Sequence, residues 1–220
     1  MNKPLLFIPT LALLSWLAIS QATEAFAGAE PPSAGMALIL AGEFMAGEPG
    51  VLRPMLVDAF YMDIHEVTQK NFEKVMGRNP SAHKGADHPV DTVTWYEARE
   101  YCQKSGKRLP TEWEWEKAAK AGTITVYYWG NEPDPAYAWF GEAWSTGHHP
   151  VGQKKPNAYG LYDMSGNVWE WTSTSYDSRE KEKVVCGGSW QNIASAVASA
   201  NRSFDPPVGR FANTGFRCAR

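Results

Sequence analysis

The sequence predicts a mixed α+β fold that is rich in loops and has little regular secondary structure. Three observations lead to this class. The N-terminal region alternates apolar and polar residues as strands do, the middle contains three segments that begin at a Thr and end at a Gly, and the second half consists of short aromatic pieces separated by Gly, Pro and Asn. The 220 residues are enough for one domain with its own core.

Residues 1–27 have the three-part pattern of a secretory signal. A charged start at Lys3 is followed by an apolar run over 5–19 and by small residues at the exit, 25–27. The run is shorter than the roughly 20 apolar residues of a membrane span and contains Pro9. We therefore expect cleavage after Ala27, a flexible lead-in over 28–35, no membrane span after cleavage, and a periplasmic or secreted protein.

Two stretches near the start of the domain are predicted to form strands. Residues 36–47 combine an apolar run with glycines, as a first strand and its turn would, and residues 55–67 alternate apolar and polar side chains. These stretches place the β structure ahead of the helices.

Three segments are predicted to be helices because each has a Thr that can cap its start and a Gly that can end it. The Thr and Gly pairs are Thr68 and Gly77, Thr94 and Gly106, and Thr111 and Gly122. In the second and third segments a Glu three residues after the Thr completes a capping box. Spacing of three or four residues puts Cys102 on the buried face of the second helix, which makes it a structural cysteine.

The region after Gly122 is predicted to be loop-rich with few short strands. Only residues 168–172 show a two-residue alternation. Ten Trp in one domain suit a core and rigid loops built on large flat side chains, or a groove for a sugar or a peptide.

Charge and cysteine content limit the partners and the compartment. Lys and Arg number 21 against 24 Asp and Glu, a net charge of −3, which gives no electrostatic footprint for nucleic acid. In an oxidising compartment two of the three cysteines, Cys102, Cys186 and Cys218, would form a disulfide and one would be left over. The residues alone do not say which pair forms.

Five segments occur in an order and spacing that resemble the formylglycine-generating enzyme family, also called the sulfatase-modifying factor family. These segments are 108–122 (RLPTEWEWEKAAKAG), 127–132 (YYWGNE), 150–176 (including GLYDMSGNVWEW), 187–190 (GGSW) and 213–219 (NTGFRCA). The resemblance covers residues 36–220. It implies one domain related to C-type lectins and a disulfide between Cys102 and Cys218, which leaves Cys186 as a free thiol.

The resemblance also implies a calcium site. Ca²⁺ is held by several oxygen atoms of carboxylates and backbone carbonyls. The four matching positions are Asp163 (side-chain oxygen), Gly166 and Val168 (carbonyls) and Glu170 (carboxylate). Without the resemblance, two solvated acids would explain Asp163 and Glu170 as well. A second family calcium site lies in a loop that is shortened here and has Ala138 in place of an expected Asn, so we expect that site to be absent or altered.

The family's oxidation chemistry needs a pair of thiols that this sequence lacks. The family's enzymes convert a substrate cysteine to formylglycine with molecular oxygen, and two cysteines five residues apart bind copper and the substrate, because soft thiolates hold Cu(I). Counted from residues 187–190, these positions are Asn192 and Val197. We therefore expect neither copper binding nor formylglycine generation.

The remaining candidate pocket residues have two interpretations. Trp169 and Ser189 match the family's oxygen pocket, and Trp190 follows directly. They could line a surviving binding pocket together with Asn192 and Val197. Equally, the hydroxyl could hold a turn and the indole could fill the core.

Cys186 and the histidines offer weaker candidates. Cys186 could be catalytic, could bridge to another chain, or could be a buried inert thiol, and a reactive thiol would need a nearby group that lowers its pKa. The five histidines, His65, His83, His88, His148 and His149, are interpreted as exposed loop residues. A pair of histidines binds a transition metal only when a third ligand converges, so the sequence predicts no metal site there.

Two functions remain after the thiol pair is lost. The first is an exported maturation or accessory factor that binds a protein or peptide-like client in the former active-site pocket. The alternative is an oxidoreductase of the pyoverdine-maturation kind that acts on a small molecule or a peptide. The family's sulfoxide synthases carry an added iron-binding domain that is not expected here. Its ligand-display proteins concentrate Tyr, Ser and Asn where this chain has alanines over 194–200, so display is also not favoured.

Overall fold

Short strands, three helices and long loops make up the part of the chain that the computed structural model describes, residues 35–179 and 181–220. These residues belong to one compact unit, Ser33–Arg220. The predicted signal and the lead-in up to residue 34 lie outside the described residues. No helix within the described ranges is long and apolar enough to cross a membrane.

The N-terminal region forms two antiparallel pairs of strands. The strands are β1 (Met36–Ile39), β2 (Gly42–Ala46), β3 (Arg53–Val57) and β4 (Phe60–Asp63). β1 pairs with β4, and β2 pairs with β3. The stretch predicted as a first strand and its turn therefore contains β1 and β2, which are separated at Leu40-Ala41. The stretch predicted as the second strand contains the end of β3 and all of β4, which are separated at Asp58-Ala59.

The helices begin where the Thr caps predict. They are α1 (Gln69–Met76), α2 (Trp95–Lys104) and α3 (Glu112–Lys120). Both predicted capping boxes are present, since Thr94 and Thr111 each exchange hydrogen bonds with the Glu three residues later. The predicted end signal of α3, Gly122, comes one residue after the observed cap, because Ala121 already takes the left-handed conformation, with φ of 46°.

The second half of the chain holds one four-stranded sheet among its loops. Its strands are β5 (Trp169–Ser175), β6 (Lys183–Cys186), β7 (Arg202–Asp205) and β8 (Thr214–Gly215). The order is β7-β6-β5-β8, antiparallel except for the parallel pair of β5 and β8. Two short 3₁₀ turns, Trp144–Thr146 and Ala194–Val197, lie in the connecting loops.

The core is organised around the central strand β5. One cluster of buried side chains packs α1 and α2 against Trp169 and Trp171, and a second packs α3 against β1 and β6. Cys102 of α2 is bonded to Cys218 near the C-terminus, and Cys186 is free and buried, as the resemblance implies. β5 therefore lies between the two clusters, and both clusters pack near the turn that precedes β5.

Candidate functional site

The turn before β5 has an unusual backbone that its sequence permits. Asp163, Gly166 and Asn167 have φ values of 55°, 78° and 59°, in the left-handed region that Gly, Asp and Asn tolerate best. A Cβ atom at Gly166 would lie 2.0 Å from the carbonyl oxygen of Trp139, so only glycine fits there. The Asn167 side chain accepts from the His149 backbone N–H and donates to Glu66 Oε2, which fixes the turn against two other segments.

This turn delivers acidic side chains to a buried group of charges, which we call the carboxylate–arginine cluster. Its members are Glu66, Asp163, Glu170 and Arg217, and none is more than 2% exposed. The Arg217 guanidinium donates through Nε and Nη2 to Glu170 at 2.7–3.0 Å and through Nη2 to the Tyr162 carbonyl at 2.9 Å. Burial of ions is costly unless they are paired and hydrogen-bonded, and Glu170 and Arg217 meet that condition.

The other two acids of the cluster are not fully compensated. Asp163 Oδ2 accepts the Gly152 N–H at 2.6 Å, but Asp163 Oδ1 and Glu66 Oε1 are buried without a hydrogen-bond partner. Burial raises the pKa of Asp163 to about 6, although the Gly152 N–H and Arg217 oppose the shift. Burial, together with Asp163 and Glu170, raises the pKa of Glu66 well above its usual value. Three carboxylates thus share one guanidinium.

Such a charge balance fits a bound cation. The two unpartnered oxygens are of the type that Ca²⁺ prefers, and Glu66 also lines a cleft of about 190 Å³. Glu170 is less available, because its oxygens already accept from Arg217 and from Trp115 Nε1 at 2.8 Å. Among the described residues, no three His, Cys, Asp or Glu side chains are arranged to hold a metal as they lie.

Sequence reasoning placed Asp163 and Glu170 here and missed Glu66 and Arg217. A signal for both was present, since Glu66 follows the apolar strand β4 and Arg217 interrupts the apolar run at the C-terminus. A charged residue within an apolar run is buried only when it is paired. The shortened loop places Ala138 in a buried position, and its side chain supplies no oxygen for a second cation.

The residues at the family's copper positions are packed into the structure. Asn192 Oδ1 accepts from the backbone N–H of Ser189 at 2.9 Å and from its hydroxyl at 2.7 Å. Val197 is fully buried in the second 3₁₀ turn, where a Cβ atom at Gly188 would meet its Cγ1 at 2.6 Å. The Ser189 hydroxyl therefore holds a turn, and Val197 packs against the Gly-Gly step.

The tryptophans of the predicted pocket lie in different surroundings. Trp169 is buried in the core cluster of α1 and α2, whereas Trp190 is fully buried and contacts the rings of His83 and His148. A loop over 141–149 covers Trp190, since the backbone N–H groups of Gly141 and Glu142 donate to the carbonyls of Asn192 and Trp190. The side chains predicted to line the pocket are therefore mostly enclosed.

Two large apolar side chains are exposed on the segments that enclose the former copper positions. Trp144 on the covering loop is 53% exposed and Ile193 is 72% exposed. The centroid of the Trp144 ring lies 5.5 Å from the centroid of the Trp190 ring, so Trp144 also packs against the buried part of the site. We call Trp144 and Ile193 the rim of the former active site.

Cys186 lies in β6 in an environment that disfavours a thiolate. Burial raises its pKa well above the usual value, and the nearby carboxylates of Glu112, Glu170 and Glu116 raise it further. Because the thiolate is the nucleophile of cysteine chemistry, these surroundings favour the inert thiol among the three alternatives.

The expectation that the histidines are exposed is wrong, since His65, His83, His88 and His149 are half-buried and His148 is buried. This residue is 2% exposed and its Nε2 lies 2.8 Å from Asp91 Oδ2. The loop over 141–149 folds inward at this point, which the polar loop composition did not indicate.

Comparison with known proteins agrees with this architecture. Residues 21–220 match the family model described as a sulfatase-modifying factor enzyme 1-like domain. The chain is 41% identical over 151 residues to the inactive C-alpha-formylglycine-generating enzyme 2 of Bos taurus, a match that covers 60% of this chain and 50% of that protein. This chain therefore spans about half the length of that relative.

Two further proteins are similar over larger shares of their length. The chain is 34% identical over 210 residues to the chaperone protein LppX of Paenibacillus barcinonensis, covering 66% of this chain and 75% of that protein. The structure of Treponema denticola variable protein 1 superposes with a TM-score of 0.72 and 29% identity, covering 84% of this chain and 94% of that one. The superposition confirms the expected loop-rich mixed fold.

Proposed function

The chain belongs to the family of sulfatase-modifying factor enzyme 1-like domains, and on that premise we propose that it is an exported maturation or accessory factor. It binds a protein or peptide-like client at the former active site and does not generate formylglycine. The observation that carries this proposal is the replacement of both copper-binding cysteines. Asn192 bonds to Ser189 and Val197 is buried, so neither position offers the soft ligands that Cu(I) requires.

Two relatives support a function without this chemistry. One is described as an inactive formylglycine-generating enzyme, and another as a chaperone protein. A chaperone-like role requires a surface that recognises another chain, and exposed apolar side chains beside polar ones mark such surfaces. The rim supplies this surface, with Trp144 and Ile193 on two segments that are hydrogen-bonded to each other.

Export is part of the same proposal. The disulfide between Cys102 and Cys218 supports an oxidising compartment, since disulfides persist in the periplasm or outside the cell. The pattern of residues 1–27 supports the same location.

Site-specific photo-cross-linking tests the client-binding role. A photoreactive amino acid is placed at Ile193 and, as a matched control, at Val208, which is exposed to a similar degree, 72% and 70%. Irradiation of cells that export the protein is expected to give one defined protein adduct at position 193 and none at 208. The adduct should be lost when Trp144→Ala is added. Equal adducts at both positions would show that the rim has no special role.

Copper binding and oxygen uptake test the loss of the family's chemistry. The unaltered chain, supplied with Cu(I) and a cysteine-containing peptide, is expected to bind no Cu(I) through thiolates of its own and to consume no oxygen. The double variant Asn192→Cys, Val197→Cys serves as the positive control and is expected to gain one Cu(I) per chain, because the thiolate pair is restored. Oxygen uptake by the unaltered chain would contradict the proposal and favour the oxidoreductase alternative.

Calcium is the cation that we propose for the carboxylate–arginine cluster. Asp163 would hold it through Oδ1, with the carbonyls of Gly166 and Val168 in the same turn, and Glu170 would keep its bonds to Arg217 while it contributes charge. Calcium would act structurally here, by balancing the buried negative charge of Asp163 and Glu66.

The variant Glu66→Gln is expected to be more stable than the unaltered chain without calcium and less stable than the unaltered chain with calcium. Without calcium, the change replaces a buried acid whose Oε1 has no hydrogen-bond partner and which forms no ion pair among the described residues, so the melting temperature is expected to rise. With calcium at 100 times its dissociation constant, the unaltered chain gains about 2.7 kcal/mol, and the variant gains less. Calorimetry with and without calcium measures both effects. The exposed Glu43→Gln is the matched control, and an unaltered chain that ignores calcium would contradict the assignment.

A further inference from the structure

Three histidines from two loops converge beside the former active site. His88 and His148 have ring centroids 5.2 Å apart, and those of His83 and His148 are 5.4 Å apart. We call His83, His88 and His148 the histidine cluster. His83 and His88 belong to the loop between α1 and α2, and His148 belongs to the loop that covers Trp190. Residues 60 or more apart in sequence thus meet at one point.

A buried carboxylate orients the central histidine. Asp91 is fully buried, and its Oδ1 accepts the Ala82 N–H at 2.7 Å and the Thr92 hydroxyl at 2.5 Å. Its Oδ2 lies 2.8 Å from His148 Nε2. A carboxylate accepts hydrogen bonds, so this contact favours the tautomer of His148 with the proton on Nε2 and makes Nδ1 an acceptor. This carboxylate–histidine arrangement is the one that supports histidine ligands of metals.

The Nδ1 atom of His148 faces a second imidazole and is hydrogen-bonded to it. His88 Nδ1 lies 3.0 Å from His148 Nδ1. Two nitrogens bound to one zinc ion at 2.0–2.1 Å with tetrahedral geometry would be about 3.3 Å apart. The observed separation is within a few tenths of an ångström of that value, and metal binding would replace the His88–His148 hydrogen bond and turn both Nδ1 lone pairs toward the ion.

A third imidazole next to this pair is unsatisfied. His83 Nε2 is buried without a hydrogen-bond partner. Its ring packs edge-on against His148 and Trp190. In the described residues the side chains do not yet form a three-ligand set, so completion of the site requires either rotation of the His83 ring or a water molecule as the third ligand.

We propose that His88 and His148 bind a divalent transition-metal ion of the zinc class through their Nδ1 atoms, with Asp91 orienting His148 and with His83 or water completing the coordination. Imidazole is a ligand suited to zinc, copper and nickel, whereas calcium prefers oxygen. The site differs from the carboxylate–arginine cluster in both residues and ligand chemistry. It also differs from the family's copper positions, which are occupied by Asn192 and Val197.

Titration of the metal-stripped full chain with Zn²⁺ tests this site. Isothermal titration calorimetry is expected to show one Zn²⁺ per chain, with calcium present throughout to saturate any oxygen-ligand site. His88→Ala is expected to weaken binding at least tenfold. His65→Ala is the matched control, because His65 stacks on Tyr162 away from the histidine cluster, and it should leave the affinity unchanged. Asp91→Asn should weaken binding about 10- to 100-fold, as is usual for a carboxylate that orients a ligand.

A spectroscopic measurement keeps the test independent of folding. Co²⁺ in place of Zn²⁺ is expected to give visible absorption bands in the unaltered chain and in His65→Ala but not in His88→Ala. The far-ultraviolet circular dichroism of His88→Ala should stay native, because His88 lies in a loop and is only half-buried. Absence of saturable Zn²⁺ binding, or equal binding by His88→Ala, would overturn the proposal and leave His88 and His148 as a hydrogen-bonded pair.

Discussion

Replacement of Arg217 by Met is expected to lower the free energy of unfolding by about 3–5 kcal/mol, the cost of breaking a buried ion pair by removing one partner. The variant keeps most of the aliphatic volume but leaves Glu170 without its cation, beside two acids that already lack full compensation. It also removes the Nη1 and Nη2 hydrogen bonds to the carbonyls of Asp63, Ile64 and Tyr162. Urea denaturation at neutral pH measures the change.

Arg210→Met is the matched control for this prediction. Arg210 also pairs with a glutamate, Glu97, at 2.7 Å, but its side chain is 43% exposed. Exposed ion pairs contribute only about 0–1 kcal/mol, so the control should lose at most that amount. Adding Glu170→Gln to Arg217→Met should recover part of the loss, since it removes one uncompensated charge. If Arg217→Met lowers the free energy of unfolding by no more than the control does, the buried ion pair of Arg217 and Glu170 does not stabilise the fold.

The helices of this fold could be predicted from the sequence because their signals are local. A Thr, a Glu three residues later and a Gly at the end act within a dozen residues, and the observed starts of α2 and α3 agree with them. The strands β6 and β7 were not predicted. Their pairing joins residues such as Val185 and Ser203 across a long loop, and pairing of that kind depends on tertiary contacts rather than on local preference.

The candidate site divides in the same way. Asp163 and Glu170 belong to one continuous motif and could be identified together. Glu66 is 101 residues away from its hydrogen-bond partner Asn167, and Arg217 is 47 residues away from its partner Glu170. The histidine cluster was missed for the same reason. His88 and His148 are ordinary loop residues in the sequence, and only the fold brings them within 3.0 Å.

The covering loop connects these findings to the proposed function. It carries Trp144 of the rim, it places His148 next to Asp91, and it donates backbone hydrogen bonds to the segment that contains Asn192. In a copper enzyme of this family the corresponding region must admit both a metal and a substrate thiol. Here backbone hydrogen bonds hold the covering loop against the segment with Asn192, and Trp144 and Ile193 are exposed on these two segments, which is why we place the proposed client at the rim.

Removal of the disulfide is the second change with a large expected effect. The variant Cys102→Ala, Cys218→Ala should lower the free energy of unfolding by about 2–5 kcal/mol, the usual range for a native disulfide. The bond spans 116 residues, and closure of a loop of that length corresponds to about 4–5 kcal/mol in the chain-entropy model. Both sulfur atoms are fully buried between α2 and the C-terminal segment, so the loss should appear as global unfolding in thermal denaturation.

Cys186→Ala is the matched control, because Cys186 is buried but unpaired. It should lose only about 1 kcal/mol, comparable to the removal of one buried methylene group. In a strong reductant the unaltered chain should fall to about the stability of the double variant and the control to about 1 kcal/mol below it, whereas the double variant should not change. That pattern would tie the stability of the domain to an oxidising compartment, since in the reducing cytosol the chain would lack this bond. A double variant as stable as the control would show that the disulfide does not stabilise the domain.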